Sequence, residues 1–222
     1  MNENMIKDKT AVIFDMDGVI FDTERLYIEA CVEVADKYGA DNIEETCYRC
    51  IGINSLVTEQ ILYDTYGKDF PLKEFRAEVD EIFAKKFDEK APVKPGVKEL
   101  LTYLKSAGVK TAIASSTKKE GVARELKQAG FLEYFDELVC GDMVEKSKPN
   151  PDIFLKAAEC LGEEPEKCIV IEDSFNGIRA AHAAKMFAIM VPDILPPDEE
   201  MKEKASVILS SLTEVLDFLK EN

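Results

Sequence analysis

The sequence predicts an α/β fold, a Rossmann-like parallel sheet core with helices on both faces and an inserted all-α cap domain. Three observations carry that expectation. From residue 97 onward, short apolar runs alternate with segments of helical period, the pattern that builds a parallel sheet covered on both sides. A first apolar run at residues 10–14 stands apart from the others, and everything between residues 24 and 89 has helical periodicity with no strand signal. Finally, Ala91-Pro-Val-Lys-Pro-Gly96 has the prolines and the glycine of a stiff linker re-entering another layer. The expected division is therefore 1–23 with 91–222 as the core and 24–90 as the cap.

The first strand, 10–14, ends at acidic residues and Gly18, where a loop is expected to open. In the insert, Leu26, Ala30, Val34 and Tyr38 recur at spacings of four, and Gly39, Gly52 and Gly67 punctuate the helices. A core helix is expected over 97–107. Strands follow at 110–114, 137–140, 168–171, 187–191 and 206–209, with helices at 119–129, 151–161, 176–185 and 212–219. Residues 192–200 read as an acidic, proline-containing turn. The helical insert is expected over the carboxyl ends of the strands, because open α/β sheets bind ligands along that edge.

The chain has 222 residues and a formal net charge of −16. That balance argues against nucleic acid as a partner, since affinity for a phosphate backbone comes from clustered Lys and Arg. No run of about 18 apolar residues occurs, so no membrane span is expected, and the polar first ten residues lack the apolar stretch of a secretory leader. A soluble cytoplasmic protein, monomer or weak homodimer, is the expectation. Six cysteines are scattered along the chain, and reduced thiols are the default in such a composition. Cys47-Tyr-Arg-Cys50 has redox-motif spacing, but there is no second pair and His182 is distant, so structural thiols in a helix are the expectation.

Four segments carry chemistry. Phe14-Asp-Met-Asp-Gly-Val-Ile-Phe-Asp22 puts two carboxylates at a strand end, and the loop at Gly18 lets Asp15 and Asp17 converge on one cavity. Close like charges call for a cation. Ile113-Ala-Ser-Ser-Thr117 offers hydroxyls and backbone N–H groups to a phosphoryl oxygen, or simply a helix cap. In Lys146-Ser-Lys-Pro-Asn-Pro-Asp152, the proline after Lys148 restricts the lysine to extended conformations that fix its ammonium over an anionic site. Val170-Ile-Glu-Asp-Ser174 ends a buried strand in two acids, Glu172 and Asp173, which are expensive there unless they bind or support a cation.

In this order and spacing the four segments resemble the four motifs of the haloacid dehalogenase superfamily, over almost the whole chain. With the helical insert after the first motif, the chain is similar to the helical-cap subfamily, which includes β-phosphoglucomutase-like and phosphoglycolate-phosphatase-like enzymes. That resemblance implies Mg²⁺-dependent hydrolysis of small phosphorylated metabolites. Asp15 would be the nucleophile and Asp17 the acid/base. Ser115, Ser116 and Lys148 would bind the phosphoryl group. The ion would be held by Asp15, the main-chain carbonyl of Asp17 and Asp173, with Glu172 assisting. Thr23 and Glu24 would lie at the hinge to the cap, and Asn176 would support the metal shell.

Two other functions compete. A sugar phosphomutase of the β-phosphoglucomutase type needs cap cations to grip the non-reacting phosphate. The corresponding stretch, Cys50-Ile-Gly-Ile-Asn-Ser55, contains no Lys or Arg, although Arg49 lies next to it. A histidine of those mutases is replaced by Tyr27, and residues 24–90 hold 9 Lys plus Arg against 16 Asp plus Glu, a net of 9 − 16 = −7. A receiver-like phosphoacceptor domain would use a strand-end aspartate but has no use for a cap or for a positioned second aspartate. Hydrolysis is the expectation.

Overall fold

A computed structural model describes residues 8–51 and 55–222. Within the 50–55 stretch, residues 52–54 lie outside the described residues, as do the leading residues 1–7. The elements run β1 (Ala11–Phe14), α1 (Thr23–Tyr38), α2 (Ile43–Cys50), α3 (Ser55–Tyr66), α4 (Leu72–Glu89), α5 (Val97–Ser106), β2 (Lys110–Ser115) and α6 (Lys119–Gln128). They continue with β3 (Glu137–Cys140), α7 (Asp152–Leu161), β4 (Cys168–Glu172), α8 (Phe175–Ala183), β5 (Phe187–Met190), α9 (Glu199–Lys204), β6 (Val207–Ile208) and α10 (Leu212–Glu221). Two compact units result. One comprises the described residues up to Phe21 together with Val93–Asn222, and the other is Asp22–Pro92.

The first unit is a six-stranded sheet in the order β3-β2-β1-β4-β5-β6, and every neighbouring pair is parallel. Central β1 and β4 are buried along their whole length, as expected of strands covered on both faces. One apolar layer joins Ile13, Val139, Val170 and Met190 of the strands to Phe154 and Ala157 of α7 and Ile178 of α8. The second unit has its own core, in which Cys31 and Val34 of α1 pack with Phe75 and Val79 of α4. Tyr38 and Phe75 meet edge to face there, with ring centroids 5.5 Å apart, the geometry that aromatic quadrupoles favour.

The alternation of strands and helices is as the sequence predicts, with two local corrections. Residues 192–200 are not all turn, because α9 starts at Glu199. The Asp198 carboxylate caps it by accepting the Met201 N–H at 2.8 Å, and Met201 is fully buried. The prolines before it hid a helix too short for periodicity to reveal. The strand expected over 206–209 is reduced to Val207–Ile208. As the sheet edge it pairs only with β5, although the N–H groups of Ser206 and Leu209 still reach the Ala188 and Met190 carbonyls at 2.8 and 2.9 Å. Among the described residues no helix is long and apolar enough to cross a membrane.

Candidate active site

The strand order turns outward in opposite directions from β1 and β4, so their carboxyl ends form the switch point at which α/β sheets open a ligand crevice. Asp15 follows β1 directly, and its N–H donates to the Ile171 carbonyl at 2.9 Å, extending the parallel ladder by one step. Glu172 closes β4 and Asp173 follows it. One carboxylate oxygen from each of Asp15, Glu172 and Asp173 lies within 4.8 Å of the others. This grouping comes from neighbouring strands in register, with Phe14 paired to Ile171.

The Lys148 ammonium sits among them. It donates to Asp15 Oδ1, to Glu172 Oε1 at 2.8 Å and to the Ala114 carbonyl at the end of β2 at 3.0 Å, which engages all three of its N–H groups. The Lys148–Pro149 peptide is cis. Burial works against the charge on Lys148, but the Asp15 and Glu172 carboxylates outweigh it and hold the ammonium above its usual range. Asp15 is pushed up to about 8, first by burial and then by Glu172 and Asp17, with Lys148 opposing. Asp173 is likewise raised, by burial and by its acidic neighbours Glu172, Asp15 and Asp193.

Asp17 is held differently. Its Oδ2 accepts from the Ser115 hydroxyl at 3.4 Å and the Thr117 hydroxyl at 3.2 Å. Between the two aspartates, Met16 is fully buried in the core, and a tight turn brings the Gly18 N–H to the Phe21 carbonyl at 2.8 Å. Gly18 has φ +84°, and a Cβ there would lie 2.3 Å from Asp173 Oδ2. Only glycine lets this loop pass so close to the Asp173 carboxylate. Ser115 is fully buried and accepts the Thr117 N–H at 3.1 Å, whereas Ser116 is exposed. Of the expected residues, the structure thus brings together Asp15, Asp17, Ser115, Lys148, Glu172 and Asp173. The Asn176 side-chain oxygen accepts from Arg179 at 3.0 Å, and Arg179 also clasps Glu200 through two nitrogens.

Three contributors escaped the sequence reading. Thr117 belongs to a segment that was singled out, but its contact with Asp17 spans 100 residues. Gly177 lies behind Glu172, where a Cβ would fall 1.6 Å from Oε1. The N-cap spacing of Ser174 and Gly177 was the available signal, since the Gly177 N–H donates to Ser174 Oγ at 3.0 Å. Asp193, in the turn after β5, pairs with Lys94 at 2.6 Å and adds its charge to the field around Asp173. Nothing local marked it.

Glu172 has both oxygens engaged by the protein, Oε1 by Lys148 and Oε2 by the Ser174 N–H at 2.6 Å. Asp15, Glu172 and Asp173 present three carboxylates to one ammonium, a formal balance of +1 − 3 = −2. A hard, oxygen-seeking divalent cation fits that donor set and that charge, and soft metals find no sulfur or imidazole in the group.

The chain is similar to known proteins over most of its length. The family model described as haloacid dehalogenase-like hydrolase matches residues 12–191. A Thermotoga maritima protein named phosphorylated carbohydrates phosphatase is 38% identical over 212 residues, covering 95% of this chain and 98% of that protein. A Thermotoga maritima crystal structure, described provisionally as a beta-phosphoglucomutase, superposes with a TM-score of 0.82 at 37% identity, over 95% of this chain and 98% of that one. A beta-phosphoglucomutase structure from Clostridium difficile gives 0.76 at 27% identity, over 96% of each chain.

Proposed function

The chain belongs to the haloacid dehalogenase-like hydrolase family, and from that premise we propose that it hydrolyses small phosphate monoesters through a covalent phosphate on Asp15, with Mg²⁺ as cofactor. The Lys148 bridge carries this reading. One ammonium joins Asp15 to Glu172 at the sheet's switch point, and Asp17 is held beside it by two hydroxyls.

Asp15 attacks phosphorus in line, and the bond to the ester oxygen breaks as Asp17 gives that oxygen a proton. Asp17 then takes a proton from the water that attacks the aspartyl phosphate. Inorganic phosphate leaves, and Asp15 is restored. Lys148 and Ser115 hold the charge of the transferring group, where positioning and electrostatics supply most of the catalysis. The carboxylates of Asp15 and Asp173 and the Asp17 carbonyl would hold the metal, which neutralises phosphoryl oxygen charge when bound. Glu172 acts behind them by fixing Lys148, since its own oxygens are already engaged.

Structures named as phosphoglucomutases favour a second reading, transfer between two positions of a sugar phosphate. A cation-poor cap weighs against it. Of the cap's basic residues, Arg76 is paired with Glu59 at 2.5 Å and Lys37 with Glu78 at 2.5 Å, and Arg49 is exposed. The test follows glucose 1-phosphate, glucose 6-phosphate and free phosphate in one reaction primed with a sugar bisphosphate, beside a panel of small phosphate esters. Phosphate release is expected to outpace isomerisation, to stop on chelation and to return with Mg²⁺. Isomerisation outpacing release would establish the mutase.

A further inference from the structure

Asp17 sits in a loop that closes on itself. The N–H groups of Ile20 and Phe21 both donate to the Met16 carbonyl, at 2.8 and 3.1 Å, and the Gly18 N–H donates to the Phe21 carbonyl. The outer edge of this loop is gripped by the segment that re-enters the core unit at Val93. Phe21 and Val93 form an antiparallel bridge, and the Lys94 N–H donates to the Ile20 carbonyl at 3.0 Å. The Lys94 side chain reaches the turn after β5 instead. Its Nζ donates to Asp193 Oδ1 at 2.6 Å, with the two side chains only 18% and 4% exposed. Asp193 stands two residues beyond Val191, whose N–H continues the sheet ladder onto the Glu172 carbonyl at 2.8 Å. Lys94 therefore ties the Asp17 loop, through its main chain, to a turn anchored on β4, through its side chain.

We propose that Lys94 and Asp193 are a positioning pair for Asp17, holding its loop so that the carboxyl group stands where it can protonate the leaving oxygen. The proposal rests on the acid/base role given to Asp17 above. A nearly buried ion pair is a poor source of stability, because taking two charges out of water costs about what their attraction returns. Its effect on geometry is larger. Ser115 and Thr117 hold the Asp17 carboxylate, but the main chain that carries it is set by the turn from Met16 to Phe21, and so by what grips Ile20 and Phe21. The contact with Asp193 fixes Lys94, and Lys94 fixes Ile20. Proton transfer requires the acid within hydrogen-bond reach of the departing oxygen, and a misplacement of about 1 Å costs on the order of 100-fold in rate.

The test measures kcat/KM for phenyl phosphate and for p-nitrophenyl phosphate in the full chain, in Lys94→Met and in Lys94→Met combined with Asp193→Asn. The double variant removes both charges, so it serves where the single variant, with a buried carboxylate left uncompensated, does not fold. kcat/KM covers the steps up to departure of the leaving group. p-Nitrophenolate departs without a proton, whereas phenolate leaves far more readily as phenol. In a variant that melts like the parent, phenyl phosphate is expected to lose about tenfold or more and p-nitrophenyl phosphate no more than about threefold. Hydrogen exchange of the peptide spanning 16–22, measured without substrate, is expected to speed up in the same variant. Equal losses for the two esters would overturn the proposal. So would unchanged exchange, or a raised Mg²⁺ requirement in place of the leaving-group dependence. A parent chain that hydrolyses neither ester would instead overturn the phosphatase reading, and with it the role given to Asp17.

Discussion

Two groups of buried titratable residues, one in each unit, are built on opposite plans. In the core, Asp15, Lys148, Glu172 and Asp173 come from well-separated segments and meet at strand ends, where sheet register fixes the spacing and every N–H of Lys148 is used. In the cap, Cys31, Cys47 and Tyr27 sit on helices among apolar side chains and line one cavity. Charges brought out of water cost several kcal/mol each unless they are paired in good geometry, so the core cluster tolerates little displacement. Neutral thiols cost little to bury. Exchange of the cap thiols is therefore expected to disturb the fold less than displacement of the charged groups in the core.

The sharpest way to break this comparison is Asp15→Asn. The amide lacks a nucleophilic carboxylate and removes one charge from the acidic group, so turnover should fall by on the order of 10⁴-fold or more. Circular dichroism and the melting transition should show an intact fold. Activity near that of the parent would remove Asp15 from the chemistry. Gly177→Ala tests whether the core cluster is as intolerant as argued, without touching a reacting group. Its methyl would fall 1.6 Å from Glu172 Oε1 and force the carboxylate off Lys148. A loss of about 1–3 kcal/mol in stability is expected from the overpacking, with a fall in kcat/KM. An unchanged melt and unchanged kinetics would mean that Glu172 has room to yield. The smallest effect is expected in the cap. Cys47→Ser with Cys50→Ser should leave kcat within about twofold and stability within about 1 kcal/mol under reducing conditions. A folded double variant without activity would place those thiols in the chemistry.

The sequence by itself determined the alternation of the α/β core, the helical insert and the four chemical segments, because hydrophobic period and turn chemistry act over a few residues. The run into Asp15-Met-Asp-Gly and the buried strand into Glu172-Asp173 were legible for that reason. Tertiary structure decided what those segments touch. Lys148 reaches Asp15 across 133 residues and Thr117 reaches Asp17 across 100, and both contacts depend on the order β3-β2-β1-β4, which an alternating pattern does not encode. The cap followed the same rule. Spacing along one helix singled out Cys47 and Cys50, but only the packing of α1 against α2 brought Cys31 to the same cavity, since a contact between helices depends on how their faces meet and not on separation along the chain.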